Sequence, residues 1–283
     1  MNPIKTDTPT ATASDLLSDV LTEEASLENT RRAALRSLGK VGLGLAFASA
    51  PATLFASAAR AQSNPRTVSD VLLFALTLEY LERNFYNTAL DSKTLSMPDD
   101  VRAFYEIVAD HESDHVDFLI AQIAGDQNPA PPDPPVPDFD FTAGGTLDPF
   151  NDYPTFLLLS QAFEDTGVRA YKGQVPFLID ASAVLTAALG IHSVEARHAS
   201  KVRRLRGSQG WIPFDESPAP AVAAVYAGMN QTVKYNIDVP AVSGIGAEQV
   251  TEAWDEPLTT EEVLNIVAPF IVGDNPLTGR NRR

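Results

Sequence analysis

The sequence predicts an all-α fold in which four helices form a bundle, and three observations lead to this prediction. Four long segments have apolar residues at helical spacing. Two of the four histidines follow a glutamate by three positions, at Glu112–His115 and Glu195–His198. This spacing places both side chains of each pair on one helix face, about 60° apart. The other two segments each hold a glutamate followed seven residues later by a tyrosine, a distance of nearly two full turns.

The first two helices are predicted at about residues 68–90 and from Pro98 to Gly125. Thr67 or Ser69 is expected to cap the first helix, whose apolar residues form a stripe. Pro98 is expected at the first position of the second helix, because its fixed φ angle and missing N–H suit that position. Gly125 is expected close to the end of this helix. Together the two helices would form one helical hairpin.

The connection from residue 128 to residue 154 contains eight prolines and has no helical or strand period. A flexible linker between two domains and a crossover within one bundle both fit this composition. We favour a crossover with extended backbone, because neither hairpin alone can bury its apolar face. Such a crossover joins helix two to helix three so that the two hairpins can face each other.

The third and fourth helices are predicted at about residues 154–174 and 181–206, with Gly207 as the stop of the fourth. Gly167 lies inside the third helix, where a glycine weakens helical structure. A close contact between helices explains this glycine, and room for a bulky neighbour or a small molecule is the alternative.

The remaining chain has little periodicity until Thr259, which forms a capping box with Glu262 and predicts a short helix that ends near Phe270. We interpret this part as an extension packed on the bundle and not as a second domain. The predicted organisation is a leader, residues 1–61, a four-helix bundle, residues 62–207, and a C-terminal extension, residues 208–283.

The four helices are predicted to be two copies of one hairpin. The two glutamates of the first copy, Glu79 and Glu112, are 33 positions apart, and those of the second copy, Glu164 and Glu195, are 31 positions apart. In both copies the tyrosine of the first helix points the same way as its glutamate, so its hydroxyl can bond a ligand on a facing helix.

If the carboxylates and imidazoles in this order converge, they would bind two metal ions. Two glutamates would bridge the ions, and each histidine would bind one of them. Iron or manganese fits best, because zinc prefers fewer ligands and copper a different geometry. The chain has no cysteine, which excludes zinc-finger and iron–sulfur sites. The predicted ligands are Glu79, Glu112, His115, Glu164, Glu195 and His198.

Di-iron and di-manganese carboxylate bundles have the same order of ligand residues. The chain resembles the bacterial ferritin-like domain proteins, a family that also includes plant desiccation-related proteins. The likeness lies in the segments LTLEYLERNFY, DHESDHVDFL and EARHASKV and, more weakly, in the tail segment AWDEPLTTEEVLNIVAPFI. The resemblance extends from about Val68 to Phe270 and implies a ferritin-like four-helix bundle with a dinuclear site.

The sequence departs from related sites in one respect. Such sites often place a carboxylate directly before the ligand glutamate, where it orients a histidine, but here those positions hold His111 and Val194. We interpret His111 as an ordinary histidine on a helix face, and Glu82 as a surface residue or a supporting neighbour of the ligands. Other groups must then orient the ligands, because loss of the usual acid lowers metal affinity. The candidates for this role are Tyr86, Tyr171, His192 and Asp114.

The leader, residues 1–61, resembles a twin-arginine export signal. Arg31 and Arg32 precede a weakly apolar stretch, and a small-x-small cleavage pattern ends at Ala61. An uncleaved membrane anchor is the alternative, but the stretch is rich in alanine and glycine. We expect cleavage near Ala61 and a periplasmic or otherwise exported mature protein without a membrane span. Because the twin-arginine route moves folded proteins, the chain can take up its metal before export.

The formal net charge is −16, and removal of the leader does not change it, because the leader holds six basic and six acidic residues. Such a surface repels nucleic acid and anionic membranes, so neither is expected as a partner. The expected partners are a small oxidant such as oxygen or peroxide and the twin-arginine export machinery. The oligomeric state is left open.

Two functional hypotheses follow. The first is an exported oxidase or peroxide scavenger with two iron or manganese ions, for which ferroxidase, peroxidase and catalase-like turnover all stay open. The second is a metal-free bundle that protects envelope components during desiccation or oxidative stress. Iron storage in a hollow shell is a third hypothesis, for which the sequence carries no interface signal.

Overall fold

The computed structural model describes residues 67–125 and 132–273, and the predicted leader lies outside these ranges. The described chain is mostly helical, and its four long helices are α1 (Val68–Asp91), α2 (Asp99–Ala124), α3 (Tyr153–Gln174) and α4 (Ser182–Leu205). α1 packs on α2, α3 packs on α4, and α1 also contacts α3. The prediction of an all-α four-helix bundle is confirmed.

The ends of these helices follow ordinary capping chemistry. Thr67 caps α1 through a capping box with Asp70. Pro98 lies one residue earlier than predicted, because it precedes α2 and is not its first helical residue. Gly125 after α2 has a φ angle of 58°, and Gly207 after α4 has a φ angle of 78°. A positive φ angle costs glycine little, because glycine has no Cβ atom.

The connection between α2 and α3 is a crossover whose described part packs on the bundle. The ring centroids of Phe141 and Phe150 lie 5.2 and 5.6 Å from that of Phe85 on α1. Phe85 is fully buried and also stacks on Phe156 of α3 at 5.3 Å. Burial of each phenylalanine contributes about 1.5–3 kcal/mol, so these rings hold the proline-rich segment against the helices.

The chain beyond α4 forms short elements. They are α5 (Ala223–Tyr226), β1 (Val233–Lys234), β2 (Ile237–Asp238), α6 (Val239–Ser243), α7 (Ala247–Glu252) and α8 (Thr260–Val267). β1 and β2 pair in the antiparallel direction, with Val233 opposite Asp238, and the predicted capping box of Thr259 and Glu262 begins α8. Of the helices in the described ranges, none combines the length and the hydropathy that a bilayer crossing requires.

Arg169 of α3 anchors this extension to the bundle. Its side chain is almost fully buried and donates from Nε to the Glu256 carbonyl at 2.7 Å and from Nη2 to the Ala227 carbonyl at 2.9 Å. Its Nη1 donates to the Val225 carbonyl. The Leu258 amide donates to the Arg169 carbonyl at 3.1 Å. The extension therefore packs directly on α3.

Candidate metal centre

The structure brings the six predicted ligands together inside the bundle. α1 and α3 each contribute one glutamate, and α2 and α4 each contribute a glutamate and the histidine that follows it by three residues. The four glutamate side chains are fully buried, and the two histidine side chains are 11% and 5% exposed. The six residues are Glu79 on α1, Glu112 and His115 on α2, Glu164 on α3, and Glu195 and His198 on α4.

The carboxylates converge on the Nδ1 atoms of the two histidines. The Nδ1 atom of His115 lies 3.1 Å from Glu79 Oε2, 3.0 Å from Glu112 Oε2 and 3.4 Å from Glu195 Oε1. One carboxylate oxygen from each of three helices therefore approaches the same nitrogen.

The second histidine has a similar environment. The Nδ1 atom of His198 lies 3.1 Å from Glu112 Oε1 and 3.2 Å from Glu164 Oε2, so Glu112 directs one oxygen to each histidine. Two groups of four side chains result, each with its ligand atoms within 4.8 Å of one another. Glu112 and Glu195 belong to both groups, as bridging carboxylates would.

Several of these ligand atoms are buried without a hydrogen-bond partner among residues 67–125 and 132–273, namely Glu112 Oε1, Glu164 Oε2, both carboxylate oxygens of Glu195 and His198 Nδ1. The approach of His198 Nδ1 to Glu112 Oε1 therefore lacks the geometry of a hydrogen bond. Burial of unpartnered charged groups is costly, and a cation among them would satisfy several at once. Oxygen and imidazole donors suit iron and manganese. The residues present therefore fit a dinuclear site.

The pKa values reflect the crowding of acids in this cluster. Burial raises the pKa of Glu112 to about 7, although His115 and His198 lower it. Burial, followed by the charges of Glu112 and Glu82, raises the pKa of Glu195 well above its ordinary value. Burial alone would lower the histidine pKa values, but the surrounding carboxylates raise each to about 10. Metal binding requires neutral imidazole and therefore displaces these protons.

The two predicted tyrosines form reciprocal hydrogen bonds between α1 and α3. Tyr86 of α1 donates to Glu164 Oε1 of α3, and Tyr171 of α3 donates to Glu79 Oε1 of α1. Burial raises the pKa of both hydroxyls well above the ordinary value, so both remain donors. Each tyrosine occupies one oxygen of its glutamate, and the other oxygen faces a histidine.

The neighbouring histidines differ in their contacts. The Nδ1 atom of His111 lies 3.0 Å from Nε2 of His198, and the two rings stack with centroids 5.2 Å apart. The Nε2–H of His198 can donate to His111 Nδ1 both when His198 is protonated and when its Nδ1 holds a metal ion, so this contact keeps the imidazole oriented toward the carboxylates. The Nδ1 atom of His192 donates to the Val168 carbonyl at 3.0 Å, and the role of His192 in orienting the ligands stays a prediction. Asp114 is exposed.

Glu82 is buried beside the site, whereas the sequence was also compatible with a position on the surface. Its side chain is 2% exposed, and neither carboxylate oxygen has a hydrogen-bond partner in the part of the chain that the structure describes. Gly167 lies beside it, since a Cβ atom there would be 3.4 Å from Glu82 Oε1 and 3.1 Å from Glu195 Oε2. The signal was present in the sequence, because Glu82 follows Glu79 by three residues and shares its helix face.

Comparison with known protein families gives a match over residues 67–208 to the family described as ferritin-like domain. The matched segment makes up half of the chain and contains α1–α4 together with all six predicted ligands. A comparison with curated proteins finds no match. The bundle, the order of the ligand residues and the family match agree with one another. The chain belongs to the ferritin-like domain family.

Proposed function

We propose that this chain binds a dinuclear iron or manganese centre among the four helices α1–α4 and reduces oxygen or peroxide with it. The observation that carries the proposal is the sharing of Glu112 and Glu195 by two groups of ligand atoms. A single-ion site would not need two shared carboxylates. The unpartnered oxygens of both residues add to the argument, because a cation would satisfy atoms that the protein leaves without donors.

Each residue then has a defined task. Glu79 and His115 would hold one ion, Glu164 and His198 would hold the other, and the shared glutamates would bridge them. When bound, such a pair of ions supplies the electrons for reduction of oxygen or peroxide. The two tyrosine hydroxyls keep the outer glutamates in orientation, His111 keeps the His198 imidazole oriented, and the burial of all four glutamates excludes bulk water.

We further propose that the protein works outside the cytoplasm, in protection against oxidative or desiccation stress. The supporting features are the twin-arginine pattern at Arg31 and Arg32 and the resemblance to desiccation-related proteins. Folded export would let the chain carry metal acquired in the cytoplasm. N-terminal sequencing of the protein from a periplasmic extract should begin at Gln62, whereas a chain that retains residues 1–61 would contradict cleaved export.

A metal-free protective bundle is the second candidate, and the close contacts between the two histidines and the carboxylates favour it. The pKa values of His115 and His198 lie near 10 in the metal-free protein, so both imidazoles are protonated at neutral pH. Two imidazolium ions compensate part of the acidic cluster without any metal. The bundle can therefore persist as an empty scaffold.

Elemental analysis of the mature protein, purified without chelator, decides between the two candidates. We expect about two iron or manganese ions per chain and their loss in Glu112→Ala and Glu195→Ala, with the helical circular dichroism signal retained. The matched control is Glu106→Ala, which removes an exposed glutamate of the same helix α2. Near-zero metal in the wild type, even after reconstitution with iron or manganese, would support the empty scaffold.

A further inference from the structure

The six predicted ligands do not explain why Glu82 is buried. Its carboxylate is buried on α1, and both oxygens lack a hydrogen-bond partner among the described residues. Its strongest electrostatic neighbours are the carboxylates of Glu164, Glu112 and Glu79, which carry the same charge. A carboxylate placed among other acids without a donor destabilises the fold, so its place needs another explanation.

The helix opposite leaves space for this carboxylate. Gly167 lies on α3, three residues after Glu164, at a position where alanine would strengthen the helix by about 1 kcal/mol. A Cβ atom there would lie 3.1 Å from Glu195 Oε2 and 3.4 Å from Glu82 Oε1. The absent side chain of Gly167 therefore allows Glu82 and Glu195 to come together, one from α1 and one from α4.

We propose that Glu82 is a fifth carboxylate ligand of the metal centre, which it reaches through the space that Gly167 leaves. This inference rests on the proposed dinuclear site. Four carboxylates balance the charge of two divalent ions, so a fifth carboxylate adds negative charge that is best used by ions of higher charge. Glu82 thus biases the centre toward the trivalent state of iron or manganese.

The test compares Glu82→Gln with the wild type and with Glu106→Gln, which makes the same change at an exposed position of α2. Apoprotein is titrated with Mn²⁺, and free Mn²⁺ is followed by electron paramagnetic resonance. We expect Glu82→Gln to bind Mn²⁺ at least about 10-fold more weakly. In the iron-loaded protein, the Fe³⁺/Fe²⁺ midpoint potential should shift to more positive values, because negative charge is lost. Glu106→Gln should match the wild type in both measurements.

Gly167→Ala tests the same inference without removal of a carboxylate. The new methyl group displaces Glu82 and Glu195, so Mn²⁺ affinity should fall while the apoprotein stays folded. Gly190→Ala on α4 is the matched control, because its Cβ atom meets nothing within 4 Å. It should bind Mn²⁺ like the wild type.

The outcomes separate this inference from the proposed function. If the wild type binds two ions and both Glu82→Gln and Gly167→Ala bind them equally well, Glu82 is no ligand and the six-ligand site stands. If the wild type binds no metal, the proposed function fails and the inference fails with it. Weakened binding in both variants, with unchanged controls, supports Glu82 as a ligand.

Discussion

Two consecutive residues of α3, Glu164 and Asp165, belong to buried polar clusters that are built in opposite ways. The Asp165 carboxylate accepts from Arg203 at Oδ1 and from the Tyr226 hydroxyl at Oδ2, the latter at 2.8 Å. Glu164 receives one tyrosine hydroxyl, and its second oxygen has no hydrogen-bond partner. In the Asp165 cluster the guanidinium of Arg203 is the cation, whereas in the Glu164 cluster several carboxylates surround two imidazoles.

The difference distinguishes a structural cluster from a functional one. Both clusters are buried, and both contain carboxylates, so burial and charge alone do not identify a site. What matters is whether the protein supplies the partners of each carboxylate. In the Asp165 cluster the protein does so with Arg203 and Tyr226, and this network joins α3, α4 and the extension. In the candidate metal centre several carboxylate oxygens have no hydrogen-bond donor among the described residues, and the proposed cations would be their partners.

The largest expected effect is a pH dependence of stability that arises in the candidate metal centre. Glu112 has an ordinary pKa of 4.5 and a folded pKa of about 7, so the folded metal-free protein loses stability as pH rises from about 4.5 through 7. His115 and His198 stabilise the fold fully below 6.5, and this contribution is lost as pH rises through about 10. Urea unfolding of the metal-free protein should therefore show falling stability from pH 5 to pH 9.

The metal-loaded protein is the control for this prediction. Bound cations take over the role of the protons, so its stability should change less over the same pH range, or rise with pH. A metal-free protein whose stability increases toward pH 9 would contradict the assignment of raised pKa values in the cluster.

The second-largest effect is expected from a change in the Asp165 cluster. Asp165→Asn leaves the buried Arg203 guanidinium without its charge partner, and we expect a loss of about 3–5 kcal/mol in the free energy of unfolding. Chemical denaturation followed by circular dichroism measures this loss. The metal content per folded chain should stay at the wild-type level, and a variant as stable as the wild type would mean that the pair contributes little.

The third prediction concerns the packing contact between the extension and α3. A Cβ atom at Gly173 would lie 2.0 Å from the carbonyl oxygen of Leu258, so Gly173→Ala must push this backbone away. We expect a destabilisation of about 1–3 kcal/mol and faster proteolysis within the extension. Gly190→Ala serves as the matched helical control. Equal protease resistance of the two variants would show that the extension does not depend on this contact.

The smallest effect is expected when a glutamate of the candidate metal centre is changed to its amide, as Asp165→Asn does in the other cluster. Glu195→Gln removes a carboxylate whose two oxygens lack donors, so the metal-free protein should become about 1 kcal/mol more stable. In one denaturation series, Glu195→Gln should raise the free energy of unfolding of the metal-free protein, and Asp165→Asn should lower it. A clear loss of stability in metal-free Glu195→Gln would place donors around this carboxylate and weaken the argument for a cation.

Much of the fold and of the candidate site could be predicted from the sequence. The bounds of α1–α4 follow from apolar spacing and from caps such as Thr67 and Gly207, because these signals act within a few residues. The glutamate and histidine pairs follow from the same local geometry. The tyrosines were expected to bond ligands of facing helices, and the hydrogen bonds from Tyr86 and Tyr171 have that direction.

The surroundings of the ligands required the tertiary structure. His111 and His198 are 87 residues apart and lie on α2 and α4, so no local spacing relates them. Glu82 shares the helix face of Glu79, but its burial depends on α3 and on the missing side chain of Gly167.

Helix faces such as the one shared by Glu112 and His115 follow from the sequence, because the helical repeat is a property of the backbone. Which faces meet, which carboxylates receive donors and which lack them depends on contacts between segments far apart in the chain, and these contacts exist only in the folded bundle.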